Sequence, residues 1–334
     1  MIKRVLLPQP IESEAVALLK KEGLDVVVAP DKKPETVAAM LKGIQAVILR
    51  TGIVFTRDLM GHADQLRVIS RTGAGVDNVD LEAATELGIL VTCVPDANTY
   101  SVVEQALALM LALLKQLPRM DREVRRDNFD IRYKNLPSDL RGKTLGIVGL
   151  GRIGSELAKT CHQSFDMRIL GHDPYLNADL RGKYQGWVAF CDMEKLFRES
   201  DIISLHVPSL PATHHLISAR ELAWMKPVAF IINTSRGGIL DEEALIRCLQ
   251  ERKIAGAGLD VFEKEPLEKD NPLITLDNVI LTPHSAALTQ ECVIRLALGA
   301  ARAVVDVLHG KKPAGTVNPA ALIHPRWQGG LSAS

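Results

Sequence analysis

Three glycines, Gly149, Gly151 and Gly154, lie in the segment GLGRIG near the middle of this 334-residue chain. They follow the apolar run LGIV and precede the helix-like run SELAKTC. With this spacing the first glycine makes a tight turn, the second lets the backbone approach a pyrophosphate, and the third lets helix and strand pack closely. The segment therefore predicts the first strand, turn and helix of a doubly wound dinucleotide-binding domain, with enough chain before it for another domain.

Asp173 ends the next strand-like run, MRILGHD. It lies about 20 residues beyond the glycines, where dinucleotide-binding domains place an acid on the ribose hydroxyls. A carboxylate there repels a 2′-phosphate, and no arginine or lysine follows at once in the segment DPYLN, so the sequence favours NAD over NADP. The alternative is an ordinary strand-end turn residue before Pro174.

Short β-branched runs alternate with amphipathic stretches on both sides of the glycines. Five such runs lie within the first 98 residues: RVLL, LDVVVA, AVIL, RVIS and ILVT. Six more follow: TLGIVGL, MRILGHD, DIISLHV, VAFIINT, IAGAGLD and NVILTPH. Strands that alternate with helices form right-handed βαβ units and parallel sheets. The expected fold class is α/β, with two doubly wound parallel-sheet domains.

Two long helical stretches, at about 100–127 and 285–309, bracket the second series of strands. The economical interpretation is a Rossmann NAD-binding domain at 99–286, inserted into a flavodoxin-like substrate-binding domain made of 1–98 and 287–334. On this interpretation the first domain supplies the second side of a cleft.

Charge and cysteine content exclude several classes of function. Forty basic and forty acidic residues give a net charge of zero, and no basic run is typical of a nucleic-acid-binding arm. The five cysteines are scattered, which argues against a disulfide framework or a zinc site and fits a reducing compartment. The N-terminus lacks a signal-peptide pattern, and no apolar run approaches the roughly 20 residues that span a bilayer. We expect a cytoplasmic protein without nucleic-acid, membrane or metal partners.

Three polar residues, Arg236, Glu265 and His284, each follow a late predicted strand. Ligands in open α/β sheets bind beyond the carboxyl ends of the strands. An arginine can polarise a ketone beside a carboxylate, a histidine can protonate the new alkoxide, and a carboxylate can favour the imidazolium. Taken singly, each could be an ordinary loop, turn or helix-start residue. Their joint occurrence at one edge favours hydride transfer to a carbonyl.

The segments NTSRGG, LDVFEKEP and TPHSA, with GLGRIG and HDP, occur in the order and spacing of the D-isomer-specific 2-hydroxyacid dehydrogenases. The chain resembles this family over nearly its whole length, and Ser285 is a small departure from it. The resemblance implies that Arg236, Glu265 and His284 are the catalytic set, and that the helix from Tyr100 pairs the subunits of a homodimer. Cofactor contacts beyond the glycines and Asp173 are then predicted at Arg152, Ile153, His206, Val207, Thr234, Ser235 and Asp260.

A second set of residues suggests how a substrate is held. Thr72, Gly73, Ala74 and Gly75 follow the run RVIS and can present consecutive N–H groups to a carboxylate, although a plain glycine turn is the alternative. Two arginines, Arg50 and Arg71, follow the runs AVIL and RVIS and could converge on a second anion such as phosphate.

The surrounding segment RTGAGVDNVDLEAATELGILV is particularly similar to the phosphoglycerate dehydrogenases. We expect a short form of these enzymes, without their regulatory C-terminal domain. The resemblance implies that the substrate is phosphoglycerate or another 2-hydroxyacid with a second anion.

Two classes of function stay open. The first is an NAD-dependent dehydrogenase that interconverts a small D-2-hydroxyacid and its 2-ketoacid, with a glyoxylate or hydroxypyruvate reductase as a variant. The second is an NAD-sensing, corepressor-like binding module, since some relatives use NAD to control assembly. The complete catalytic set favours the enzyme.

Overall fold

The computed structural model describes residues 2–134 and 136–332. The chain divides into two compact units: unit 1 comprises Met1–Asn98 and Leu288–Ser334, and unit 2 comprises Thr99–Ala287. Unit 2 is thus continuous in sequence, and its sequence interrupts that of unit 1.

Unit 1 contains a five-stranded sheet in which every pairing is parallel. Its strands are β1 (Arg4–Leu7), β2 (Asp25–Val28), β3 (Ala46–Leu49), β4 (Val68–Arg71) and β5 (Leu90–Thr92). The strand order β2-β1-β3-β4-β5 is that of flavodoxin-like sheets. The predicted α/β class and the five predicted strands of this region are confirmed.

Helices cover both faces of this sheet. They are α1 (Ser13–Lys21), α2 (Pro34–Met40), α3 (Arg57–Gly61), α4 (Leu81–Glu86) and, from the C-terminal segment, α12 (Gln290–Leu308). Because successive strand residues point to opposite faces, Val5 and Leu7 pack in the core that includes residues of α1 and α12, whereas Leu6 packs in the other core. Such doubly buried strands give the unbroken apolar runs seen in the sequence.

Unit 2 contains a seven-stranded sheet, also parallel throughout. Its strands are β6 (Thr144–Val148), β7 (Arg168–His172), β8 (Val188–Phe190), β9 (Ile202–Leu205), β10 (Phe230–Asn233), β11 (Gly256–Leu259) and β12 (Val279–Leu281). The order β8-β7-β6-β9-β10-β11 is the 3-2-1-4-5-6 order of the Rossmann fold, which confirms that prediction, and β12 extends it.

One strand, β8, was missing from the sequence prediction. It has three residues at the edge of the sheet and pairs only with β7. Its central residue, Ala189, is exposed. A strand this short, buried on one side only, carries too little apolar periodicity to stand out.

The helices of unit 2 are α5 (Thr99–Leu114), α6 (Leu117–Val124), α7 (Arg152–Phe165), α8 (Ala178–Gly182), α9 (Met193–Glu199), α10 (Ala219–Leu222) and α11 (Glu242–Gln250). The predicted single helix at about 100–127 is wrong, because α5 and α6 are separate. Gln116 adopts a left-handed conformation with φ of 52°, and Pro118 lies in the first turn of α6. Proline cannot donate the backbone hydrogen bond that a continuous helix needs there.

No single helix among the described residues is long and apolar enough to cross a membrane. Together, α5 and α6 have the length and apolar composition of a membrane span, but the two helices are bent by 55° at the break between them. None of the five cysteines, all of them among the described residues, forms a disulfide bond. Between residues 2–134 and 136–332, no cluster of three or more histidine, cysteine or acidic side chains could hold a metal ion.

Candidate functional site

The turn between β6 and α7 is built from the three glycines. Gly149 has φ of 90°, and a Cβ there would lie 2.6 Å from the carbonyl oxygen of His206. A Cβ on Gly154 would lie 2.0 Å from the carbonyl oxygen of Gly149. Gly151 differs, since a Cβ there would meet nothing within 4 Å. Gly149 and Gly154 therefore allow the turn to close. Gly151 instead faces open space before the first turn of α7, which begins with Arg152 and Ile153.

Asp173 follows β7, as predicted, and is tied to the glycine turn. Its Oδ2 accepts a hydrogen bond from the Leu150 amide at 2.9 Å, and its Oδ1 accepts one from the Tyr175 amide at 3.0 Å. The two bonds fix the carboxylate beside the turn at the carboxyl end of the sheet. Asp173 also lines a surface pocket with Arg181 and Phe190.

His206 and Val207 follow β9 and contact the same turn. The His206 amide donates to the Val148 carbonyl at 2.8 Å, and the imidazole Nε2 lies 2.8 Å from the Ser204 hydroxyl. Burial lowers the pKa of His206 to about 4, so the ring is neutral near pH 7.

The loop after β10 carries Thr234, Ser235 and Arg236, and Asn233 organises it. The Asn233 amide nitrogen donates to the Arg236 carbonyl at 2.9 Å, and its side-chain oxygen accepts from both the amide and the hydroxyl of Ser235. A buried asparagine that bonds to its own loop in this way holds the loop in one conformation. Asn233 was not among the predicted site residues.

Asp260 holds the loop that carries His284. It is fully buried, and its carboxylate accepts hydrogen bonds from the Thr282 hydroxyl and from the amides of Ser285 and Ala286. The Asp260 carbonyl accepts from the His284 amide at 2.8 Å. His284 itself has φ of 50°, a left-handed conformation that is uncommon away from glycine. The loop therefore has one buried anchor that fixes the backbone beneath the histidine.

His284 and Glu265 form a hydrogen-bonded pair, with the imidazole Nδ1 2.7 Å from Oε2 of the carboxylate. The other carboxylate oxygen accepts from the Phe262 amide at 3.1 Å. Burial by itself would raise the pKa of Glu265, but these hydrogen bonds and the charges of His284 and Arg236 hold the pKa below its ordinary value. Glu265 is therefore a carboxylate near neutral pH. Because His284 and Arg236 both act on it, the three predicted catalytic residues lie near one another in unit 2.

The residues present fit a bound dinucleotide on two observations. The Gly151 position is open where a pyrophosphate would approach the backbone. The Thr234 hydroxyl is buried and has no hydrogen-bond partner within the described chain, which is rare for such a group and leaves it for a ligand.

In unit 1, the two predicted anion-binding arginines are held by neighbours. Arg50 Nη1 lies 3.1 Å from the Glu12 carboxylate. Arg71 Nε donates to the Asn78 side-chain oxygen at 2.7 Å, and the Asn78 amide in turn donates to the Arg50 carbonyl at 3.3 Å. Glu12 and Asn78 were not among the predicted site residues. Glu12 lies 38 positions from Arg50, and Asn78 lies only seven positions after Arg71 but carries no sequence pattern that marks it as the partner of an arginine.

The turn from Thr72 to Gly75 follows β4, as predicted. The Thr72 amide is already used, since it donates to the Leu49 carbonyl at 2.9 Å. A Cβ on Gly73 would lie 3.4 Å from the Arg71 guanidinium, so this arginine lies against the turn. Any anion held by consecutive amides here would therefore be bound by Gly73, Ala74 and Gly75.

Comparison with known proteins identifies a family match. Residues 107–286 match the family model described as "D-isomer specific 2-hydroxyacid dehydrogenase, NAD binding domain". The chain is 41% identical over 316 residues to a D-3-phosphoglycerate dehydrogenase of Methanocaldococcus jannaschii, which covers 94% of this chain and 59% of that protein. The chain thus spans about 59% of the length of this curated relative.

Solved structures of other proteins share the fold over more than nine tenths of the chain. A protein of Thermus thermophilus superposes with a TM-score of 0.86 at 33% identity, covering 94% of this chain and 99% of that one. The D-lactate dehydrogenase of Aquifex aeolicus, complexed with NAD and lactic acid, superposes with a TM-score of 0.81 at 31% identity, covering 92% and 96% of the two chains.

Proposed function

The chain belongs to the D-isomer specific 2-hydroxyacid dehydrogenase family, whose NAD binding domain it contains, and we propose that it interconverts a D-2-hydroxyacid and its 2-ketoacid. The observation that carries this proposal is the His284–Glu265 hydrogen bond of 2.7 Å, with the charge of Arg236 acting on the same carboxylate. Carbonyl reduction requires the protein to supply a proton donor, an anion that stabilises the protonated donor and a cation that polarises the carbonyl.

The nucleotide would be held by the Gly149–Gly154 turn, by Asp173 at the ribose and by the Thr234 hydroxyl. When bound, NAD exchanges a hydride with the carbonyl carbon of the substrate. Because Nδ1 of His284 is engaged by Glu265, Nε2 is the ring nitrogen that donates the proton to the carbonyl oxygen in reduction and removes it in oxidation. Arg236 would hold the substrate carboxylate and polarise the carbonyl.

The Asp260 carboxylate would act through the loop it anchors. Its hydrogen bonds to Ser285 and Ala286 keep His284 in the left-handed conformation, so that the ring meets Glu265. This makes Asp260 a positioning residue in addition to its predicted role as a cofactor contact.

A steady-state assay with NADH and a panel of 2-ketoacids tests the proposed activity. His284→Ala should lower kcat by about 10²–10⁴-fold, the usual contribution of general acid catalysis, with little change in NADH affinity. His309→Ala is the matched control, because His309 is also a partly exposed histidine near a glutamate, 3.8 Å from Glu22, but lies in α12's capping position in unit 1. Near-normal turnover by His284→Ala would show that the proton comes from another group.

The substrate class we propose carries a second anion, as in a phosphorylated 2-hydroxyacid. Arg71 supports this, since its hydrogen bond to Asn78 fixes the side chain against the Gly73 turn. Arg50 contributes less, because the Glu12 carboxylate offsets its charge. The ketoacid panel therefore includes glyoxylate, pyruvate, hydroxypyruvate and phosphohydroxypyruvate, and preference for a ketoacid without a second anion would contradict this assignment.

The assembly we propose is a homodimer formed through α5 and the segment that follows it. Much of α5 is buried within its own unit, so its apolar sequence does not by itself require a partner. Large apolar side chains are exposed just beyond it, at Leu117, Val124, Phe129, Tyr133 and Leu136. Light scattering at micromolar concentration should report a dimer, and replacing Phe129 and Tyr133 together by aspartate should dissociate it. The matched control is Tyr175→Asp, an exposed tyrosine elsewhere in unit 2; a wild-type monomer would contradict the proposal.

A further inference from the structure

A pocket of about 240 Å³ lies beside the carboxyl end of β7. Asp173, Pro174, Phe190 and Arg181 are among its lining residues. Asp173 is the residue expected to take the ribose hydroxyls, so the pocket is where the adenosine end of a dinucleotide would lie. The pocket therefore holds one carboxylate and one guanidinium.

Arg181 reaches this pocket through the fold of a short helix. The segment DPYLN after β7 contains no cation, but Asn177 caps α8 and the chain turns back. As a result Arg181 Nη2 lies 3.4 Å from the Asp173 carbonyl oxygen, and the guanidinium lies over the Phe190 ring at 5.2 Å from its centre. An arginine eight positions beyond the acid thus returns to it.

The two charges do not cancel each other in an ion pair. The Asp173 carboxylate is held by the amides of Leu150 and Tyr175, and Arg181 donates to the carbonyl rather than to the carboxylate. Over residues 2–134 and 136–332, no acidic side chain lies within ion-pair distance of Arg181. Arg181 is also an exposed residue. Its charge-assisted hydrogen bonds are therefore available to an anion in the pocket.

We propose that Arg181 is a cofactor-specificity residue that lets this site accept a 2′-phosphate, so that the site binds NADP(H) as an alternative to NAD(H). Asp173 repels that phosphate and Arg181 binds it, because a planar guanidinium matches phosphate oxygens well. Asp173 keeps the affinity for NAD(H) higher than that for NADP(H), and Arg181 reduces the difference between the two affinities. This inference rests on the proposed function only in that a nicotinamide dinucleotide occupies the site.

Calorimetry with ADP-ribose and ADP-ribose 2′-phosphate tests this role without any turnover, because the two probes differ only in the phosphate. Wild-type protein should bind both. Arg181→Ala should weaken binding of the phosphorylated probe by about 10–100-fold, the loss expected for a charge-assisted contact, and change ADP-ribose binding less than about threefold. Asp173→Asn should strengthen binding of the phosphorylated probe, and adding Arg181→Ala to it should remove that gain.

The matched control is Arg198→Ala, which removes one positive charge from the same unit at an exposed, ion-paired position on α9. It should leave the ratio of the two affinities unchanged. Equal weakening of both probes by Arg181→Ala, the same change of ratio in Arg198→Ala, or no measurable binding of the phosphorylated probe by wild-type protein would each overturn the proposal. A protein that binds ADP-ribose but reduces no ketoacid would refute the proposed reaction and leave this inference standing.

Discussion

Two alanine substitutions in the glycine turn should both weaken nucleotide binding, but only one of them should lower the stability of the protein. Gly151→Ala adds a methyl group where nothing lies within 4 Å, at a residue with φ of −67° that any amino acid can adopt. Gly154→Ala adds the same methyl group 2.0 Å from the Gly149 carbonyl oxygen. The two variants therefore make one chemical change in two different surroundings.

The structure sets the size of each effect. At Gly151, alanine is a poorer helix N-cap, but it also reduces the entropy of the unfolded chain by about 0.4–1 kcal/mol, so net stability should change by less than about 1 kcal/mol. At Gly154, backbone would have to move by more than about 1 Å, an overpacking that costs about 1–3 kcal/mol. For a unit of this size that lowers Tm by about 2–12 °C.

Nucleotide binding should respond at both positions. The methyl group at Gly151 would stand between the backbone amides and the pyrophosphate, and losing one charge-assisted hydrogen bond costs about 1.5–3 kcal/mol, or about 10–100-fold in Kd. At Gly154 the distorted turn should weaken binding as well. Only Gly151→Ala should weaken nucleotide binding without lowering the stability of the protein.

Calorimetry in the absence of nucleotide gives Tm, and fluorescence titration with NADH gives Kd, for wild type and both variants. The expected pattern is an unchanged Tm with weakened binding for Gly151→Ala, and a reduced Tm for Gly154→Ala. Gly151→Ala that binds NADH within twofold of wild type would refute the pyrophosphate assignment. An unchanged Tm for Gly154→Ala would refute the packing argument.

Three further perturbations test the site. Glu265→Gln should move the alkaline fall of kcat/KM for ketoacid reduction to lower pH with NADH affinity unchanged, because the lowered pKa of Glu265 makes it a carboxylate that stabilises the imidazolium; an unshifted profile would contradict this. Arg71→Ala should raise KM for a phosphorylated ketoacid by about 10–100-fold but KM for glyoxylate little, and Arg50→Ala should do so less because of Glu12; equal effects on both substrates would remove the case for a second anion. Burial lowers the pKa of His206 to about 4 from an ordinary value of about 6.5, so its contribution to stability is complete above that ordinary value and is lost as pH falls toward 4. Wild type should therefore lose about 2–3 kcal/mol more than His206→Gln in unfolding free energy between pH 7 and 4.5, measured by urea unfolding, and parallel losses would contradict this.

The position of the proposed catalytic residues could be predicted from the sequence because of how parallel sheets are built. Arg236, Glu265 and His284 each follow an apolar run, and the carboxyl ends of parallel strands meet at one edge. Local pattern was therefore enough to place them near one another, and the His284–Glu265 hydrogen bond agrees with that expectation. The glycines were equally legible, since their spacing reflects contacts within a single strand, turn and helix.

Residues that support the site were not legible, because their partners are distant in sequence. The pairing of Arg50 with Glu12 joins residues 38 positions apart, and the bond from Thr282 to Asp260 spans 22. Nothing in a local run distinguishes such a glutamate from a solvated one. Arg181 was missed for a different reason: it lies only eight positions after Asp173, but the segment directly after Asp173 contains no cation and only the turn of α8 brings the arginine back.

The sequence alone predicted the two series of strands and helices, because strands that are buried on both faces of a sheet are continuous apolar runs that a single sequence shows directly. It did not determine where such runs end. The break between α5 and α6 depends on the left-handed Gln116, and β8 exists through its pairing with β7. The helix break is a matter of local backbone conformation, whereas the edge strand and partners such as Glu12 depend on contacts between residues distant in sequence, and these form only when the chain has folded.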